Sequence, residues 1–233
     1  MYRFFLIIIV VFLTGCQARP NSFHGLPETD SLKEKKVELM NQQFIQMAEK
    51  GDIEKVLELL EEGVDINSKD KLGRTAVMAA TYNNQVKMVQ SLIQAGADIN
   101  IRDHHKNNVL LYAGAEGMID IVKLAIAAGA DTKLTNRFGG TALIPASERG
   151  HVEVVRELLT HSDIDVNHIN NLHWTALLEA VILGNGGEKH QEIVQLLVDH
   201  GADISITDRE GMTPLQHAKA RGLKGIERIL ESN

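Results

Sequence analysis

Five stretches of the chain share one hydrophobic rhythm. IEKVLELL, VKMVQSLI, IDIVKLAI, VEVVRELL and QEIVQLLV each place apolar residues at helical spacing along one face, the pattern of a helix with a single buried stripe. Gly63, Gly96, Gly129 and Gly201 follow four of them, where a helix commonly ends in a left-handed residue. A shorter apolar run precedes each, and Thr75, Thr141, Thr175 and Thr213 stand where a hydroxyl can cap it. The blocks EEGVDINSKDKLGRTAVMAA, QAGADINIRDHHKNNVLLYA and AAGADTKLTNRFGGTALIPA begin at Glu61, Gln94 and Ala127, 33 residues apart. The pattern therefore predicts repeated helical pairs. Each pair has an apolar face it cannot bury alone, so neighbours must stack.

Counted along the chain, a partial unit occupies 42–69 and full units occupy 70–102, 103–135, 136–169 and 170–207. A last unit at 208–233 ends in the polar residues Glu227, Arg228 and Glu231–Asn233, suited to closing a stack. Ahead of them, Ser31-Leu-Lys-Glu34 has the form of a capping box. It predicts an N-terminal helix over 31–41 that continues to about Glu49, with the repeat domain spanning 42–233. Two units break the period. LLTHSDIDVN is one residue longer than its counterparts, with Ser162 or Asp163 in place of glycine. About five extra residues, Asn185–Lys189, separate the paired helices of the fourth full unit. The insertion reads as a tolerated loop, a contact loop or a nest for an anion.

The turns carry a recognisable signature. Asp70-Lys-Leu-Gly73-Arg-Thr75 recurs as Asp208-Arg-Glu-Gly211-Met-Thr213, and Thr213-Pro214-Leu215 completes it. A 33-residue period with Gly-Ala-Asp, this turn and Thr-Pro-Leu-x-x-Ala resembles the ankyrin repeat. The resemblance covers about Gln42 to Asn233. Ala76, Val109, Ala142 and Ala176 replace the proline elsewhere, and alanine is acceptable in the first helical turn. The resemblance implies an all-α ankyrin-repeat solenoid: helix-turn-helix units with β-turn fingers, in a curved array of about five to six repeats. It also implies a protein partner on the concave face, held by the turn tips and first helices at the slots that vary within the family. Those slots hold Lys71, Leu72, Arg74 and Tyr82 in the first full unit, and His104 and His105 in the second. They hold Arg137, Phe138 and Arg149 in the third, Leu172 and Trp174 in the fourth, and Arg209 and Arg221 in the last. Aromatics and arginine are the types enriched at binding hot spots. Lys71, Arg74, Arg137, Arg149, Arg209 and Arg221 share the slots with only Glu116, Glu148 and Glu210, which predicts a mildly basic palm.

The N-terminus is a separate object. Arg3 precedes an uncharged run from Phe4 to Leu13. Roughly 20 apolar residues are needed to span a bilayer, so this run is too short and has the length of a signal-peptide core. Cys16, the one cysteine of the chain, follows at once. Leu13-Thr14-Gly15-Cys16 resembles the bacterial lipobox. That resemblance implies a leader over 1–15 that is removed, a lipidated Cys16 and a tether over 16–30. Two or three acyl chains hold a membrane stably where one does not. Gln17, rather than aspartate, follows the cysteine. By the same resemblance this implies the cell envelope, and the outer membrane facing the periplasm where the host has two membranes.

Composition changes the picture only at the margins. A net charge of −7 supplies no electrostatic reason to expect nucleic acid. Aromatics are 4% of residues, which suits helices packed through Leu, Ile, Val and Ala. No phosphate loop, His-Glu-x-x-His or Gly-x-Ser-x-Gly is present, so neither an enzyme nor a cofactor is expected. His104 and His105 sit two units from His168 and His173, too far apart to converge on one ion, and no metal is expected. His151 and His190 occupy a slot where the imidazole is expected to bond backbone locally. An envelope-bound binding module is thus the leading reading. An immunity or inhibitor protein against a periplasmic toxin or lipase is its alternative, and a ligand carrier or enzyme is the remote one.

Overall fold

The computed structural model describes residues 30–233. The leader, Cys16 and the tether up to residue 29 lie outside the described residues. Twelve helices follow in order: α1 (Asp30–Lys50), α2 (Ile53–Glu61), α3 (Ala76–Tyr82), α4 (Val86–Gln94), α5 (Val109–Ala115), α6 (Ile119–Ala127), α7 (Leu143–Glu148), α8 (Val152–His161), α9 (Ala176–Ile182), α10 (Glu188–Asp199), α11 (Pro214–Ala220) and α12 (Lys224–Glu231). They form two layers. In one, α1, α3, α5, α7, α9 and α11 pack in sequence. In the other, α4, α6, α8, α10 and α12 do the same. The expected all-α solenoid is what the chain forms. The helix expected from Ser31 starts at Asp30, so Ser31 lies inside the first turn rather than capping it.

Within the first layer, successive helices and their caps approach through small residues. Ala76, Ala79, Ala80, Ala113, Ala142, Ala146, Ala176, Ala180 and Ala218 of the first helices are buried. At Gly114 an added Cβ would stand 3.0 Å from the Cβ of Ala142. The second helices supply the bulk, with Val56, Leu59, Met88, Leu92, Ile121, Leu158, Ile193 and Leu197 almost fully buried. Gly63 shows how these helices stop. Its φ is 90°, its N–H meets the Leu60 carbonyl, and the next N–H meets that of Leu59, which pairs two otherwise orphaned carbonyls. In the longer unit no glycine is available. The Ser162 hydroxyl donates to the Leu158 carbonyl at 2.6 Å and accepts from the Ile164 N–H.

Between pairs the chain makes the same turn five times. Asp70, Asp103, Asn136, Asn170 and Asp208 each accept from the N–H groups two and four residues ahead. One side-chain oxygen thus satisfies two donors and holds each finger rigid. Asparagines tie repeat to repeat. Asn67, Asn100 and Asn167 accept from the N–H of Asp98, Asp131 and Asp203 in the following unit.

Two sequence expectations need correction. The residues inserted near 185–189 do not all loop out: the connection is 183–187, and Glu188 and Lys189 extend α10 to 12 residues, against 9 in α4. Thr141 does not cap its helix, although Thr75, Thr175 and Thr213 do. The cause is Pro145. It lacks the N–H that would reach the Thr141 carbonyl, so the Ile144 N–H takes that carbonyl instead. The Thr141 hydroxyl is left buried without a partner. Asn108 caps α5 through the Leu111 N–H at 2.8 Å, a role the threonine pattern did not reveal.

Chemical denaturation separates these cases. Thr175→Ala is expected to lose about 1 kcal/mol, the usual worth of a cap. Thr141→Val is expected to be neutral or stabilising by up to about 1 kcal/mol, since it removes an unpaired buried hydroxyl. Equal losses at both sites would contradict the assignment.

Candidate functional site

The fingers and first helices enclose a cleft of about 490 Å³ over the middle of the array. Tyr82 comes from α3, Tyr112 from α5, Ile144, Pro145 and Glu148 from α7, and Glu179 from α9. The fingers add His105, Arg137, Phe138 and Leu172. Phe138 and Leu172 are 55% and 49% exposed, large apolar groups facing solvent at the cleft.

A hydrogen-bonded aromatic pair forms one wall. The Tyr82 hydroxyl donates to Asp103 at 2.5 Å and accepts from the Asn107 amide at 3.0 Å. Its ring centroid is 4.3 Å from that of Tyr112. Burial, with the Asp103 charge adding to it, pushes the Tyr82 phenol up to about 12, so it stays a neutral donor in water near neutrality. Asp103 therefore shapes its finger with one oxygen and fixes the wall with the other.

Another part of the lining is acidic. Glu179 is 6% exposed and accepts from the Asn170 amide at 2.7 Å. Burial, then the charge of Glu148, pushes its carboxyl up to about 7, against the Asn170 bond, which lowers it. Glu179 stands nine residues after the turn residue Asn170, as His217 stands nine after Asp208, which it meets at 2.6 Å. The acid–base pair of the last unit is replaced by an amide–acid pair that faces the cleft.

The residues expected from sequence divide into two groups. Tyr82, His105, Arg137, Phe138, Arg149 and Leu172 come together in the cleft. Lys71 lies instead against α1, in a separate depression with Glu34 and Val37. Leu72 is exposed on the first finger. The His104 N–H is bonded to the Leu72 carbonyl, and its ring packs on the Gly73 turn. Trp174 closes the fourth finger through its backbone, bonded to Asn170, and does not line the cleft. Arg209 donates to the Asn171 carbonyl at 2.6 Å, and Arg221 donates to the carbonyls of Val181 and Gly184.

The mildly basic palm is not what forms. Arg74 is paired with Asp70 at 2.7 Å and reaches Glu49 at 3.3 Å. Arg149 is paired with Glu116 at 2.6 Å. Together with Arg209 and Arg221, these guanidinium groups tie one repeat to the next. The histidine slot also reaches further than expected. His151 meets the Ala115 carbonyl at 3.1 Å and His190 that of Glu148 at 2.9 Å, so both bond the preceding repeat, while the other ring nitrogen of His190 stays local, 3.1 Å from the Asn185 side-chain oxygen. Among the described residues, no group of three or more His, Cys, Asp or Glu is placed to hold a metal.

Comparison with known proteins agrees with the repeat architecture. The family model described as "Ankyrin repeats (3 copies)" matches residues 44–133 and 110–208. The Escherichia coli (strain K12) protein YahD, described as an ankyrin repeat protein, is 44% identical over 187 residues, which is 80% of this chain and 93% of that protein. The crystal structure of an ankyrin repeat domain from Acinetobacter baumannii AYE superposes with a TM-score of 0.80 at 47% identity, covering 82% of this chain and 96% of that one. That of EF0377, an ankyrin repeat protein, superposes with a TM-score of 0.78 at 37% identity, covering 81% and 96%.

Glu179 makes stability depend on pH. The folded carboxyl holds its proton up to about 7, against 4.5 for the unperturbed group. Between these values the folded state binds more protons, so stability falls as pH rises through that window. Glu179→Gln keeps an acceptor for Asn170 and removes the titration. It is expected to be more stable than the parent at pH 8, by about 1–2 kcal/mol given that the cleft admits water. The difference is expected to vanish near pH 4.5. A constant difference across this range in thermal melts would show that Glu179 does not titrate as described.

Proposed function

The chain belongs to the ankyrin-repeat family, and from that premise we propose that it is a protein-binding module held by lipid at a bacterial cell envelope. The observation that carries the binding reading is the cleft. It is built on rigid fingers and helices, it is walled by Tyr82 and Tyr112, and it presents Phe138 and Leu172 to solvent. An exposed apolar group on a preformed surface loses little on docking, because neither backbone nor rotamers need much ordering. Interface anchors are commonly aromatic.

The anchor rests on sequence. Cys16 follows a leader-length apolar run and a Leu-Thr-Gly triplet. Acylation there would hold the array by its N-terminal end, on the outer membrane facing the periplasm in a two-membrane host. A tether of about fourteen residues reaches at most roughly 45 Å, so the array stays close to the membrane surface. Neutralising an incoming toxin or lipase is one task such a module would suit. The rival reading, a carrier or enzyme, asks for a pocket beside Asn185–Lys189. Those residues are absent from the lining of the cleft.

Two experiments test the halves independently. Phe138→Ala/Leu172→Ala is expected to lose the protein that the parent captures from envelope extracts, by at least tenfold, with an unchanged helical circular dichroism spectrum. Capture indifferent to these changes would place binding on another surface. In cells fed labelled palmitate, the parent is expected to carry label and partition with membranes, and Cys16→Ala to do neither. An unlabelled parent would remove the anchor.

A further inference from the structure

Among the described residues, two carboxyl groups of the cleft have no ion-pair partner. Glu116 is neutralised by Arg149. Glu148 and Glu179 form no ion pair among the described residues. Glu179 is nearly buried; one of its oxygens takes the Asn170 amide, and the other has no protein donor among the described residues and opens to the water of the cleft. Holding a carboxylate largely out of bulk water is costly unless a counter-charge arrives. Arg137 is the remaining lining cation, and it belongs to a finger, stacked 4.7 Å over the ring of Phe138. Beside the carboxylates the walls are aromatic and aliphatic: Tyr112, Phe138 and Leu172. Such a surface accepts the methylene stem of a long basic side chain, while polar groups deeper in receive its head.

Resting on the protein-binding reading above, we propose that the cleft receives a lysine or arginine side chain of the protein partner, its stem against Phe138, Leu172 and Tyr112 and its charged head between Glu148 and Glu179. Charge complementarity selects this occupant. An acidic side chain would meet the charge of Glu148 and oppose the ionisation of Glu179 further, and an apolar one would strip water from both carboxyl groups without replacing it. A basic head satisfies the open oxygen of Glu179 and keeps the aromatic walls covered. Burial has already moved the carboxyl of Glu179 toward neutrality, and a bound cation reverses that tendency.

The test is a selection. Random 12-residue peptides displayed on phage are selected on the full chain, with Glu148→Gln/Glu179→Gln as the counter-selector. The double variant is isosteric, and its thermal melt is compared with the parent's at the working pH. Peptides that prefer the parent are expected to contain lysine or arginine. In synthetic versions, norleucine at that position is expected to weaken binding to the parent tenfold or more and to change binding to the double variant less than twofold. Failure to recover any peptide that prefers the parent overturns the proposal, as does a preference that survives without a basic residue. Peptides that bind both forms equally and are lost on Phe138→Ala keep the protein-binding cleft and remove the basic side chain from it. Peptides indifferent to all three substitutions remove both.

Discussion

Every helical pair in this chain has an apolar face that only its neighbour can cover, and the rest of the structure follows from that constraint. The buried alanines of the first helices bring successive backbones close, and the larger residues of the second helices fill the layer behind them. Stability in such an array is a sum of neighbour terms rather than the property of one centre. The polar groups serve the same end. Asn67, Asn100 and Asn167 each spend an amide oxygen on the next unit, and His151 and His190 spend a ring nitrogen on the previous one. Spacing between repeats is therefore fixed on both sides of the apolar layer. The fingers inherit that spacing and can hold a cleft between them.

The same economy explains the charges. A count of basic residues at variable slots suggests a positive palm, because each arginine is treated as free. In the folded chain Arg74, Arg149, Arg209 and Arg221 are ties between units. A guanidinium with five fixed donors is well suited to bridging carbonyls and carboxylates across a repeat boundary. Once those donors are spent on the protein itself, the cleft keeps Glu148 and Glu179 without an ion-pair partner among the described residues, and Arg137 as its one lining arginine outside an ion pair.

The fold was legible because it depends on local patterns that repeat. Period, glycine stops and threonine caps are each visible within a dozen residues, and the helices fall where the stripes place them. What failed was every feature decided by one atom at a distance from the pattern. Pro145 cancels the cap of Thr141 by lacking a hydrogen. The exchange of glycine for Ser162 was legible, but not its means, a hydroxyl folded back on the Leu158 carbonyl. Of the candidate site, the finger residues His105, Arg137, Phe138 and Leu172 were readable from their slots. Tyr112 and Glu179 were not, since they sit on helices within runs that look like core. One signal did exist: both stand nine residues after a turn Asp or Asn, the position His217 occupies in the last unit. An acid in that slot, opposite an amide rather than an acid, marks a carboxylate that the turn can hold but not neutralise.

That substitution also explains why the cleft lies where it does. A nearly buried carboxylate works against folding, and an array tolerates such a conflict best where neighbours on both sides share the load. Glu179 is in α9, between α7 and α11. Among the described residues the first and last helical pairs are the ends of the stack: Leu32, Val37 and Leu39 of α1 are exposed, and α12 ends in polar residues. A group held in an unfavourable state is more easily kept in the interior of the stack, where its surroundings are fixed by repeats that do not depend on it. Local sequences that contradict the needs of folding yet persist inside a consistent scaffold are where function is expected. Here that contradiction, an acid facing an acid beside aromatic walls, falls in the cleft enclosed by the fingers.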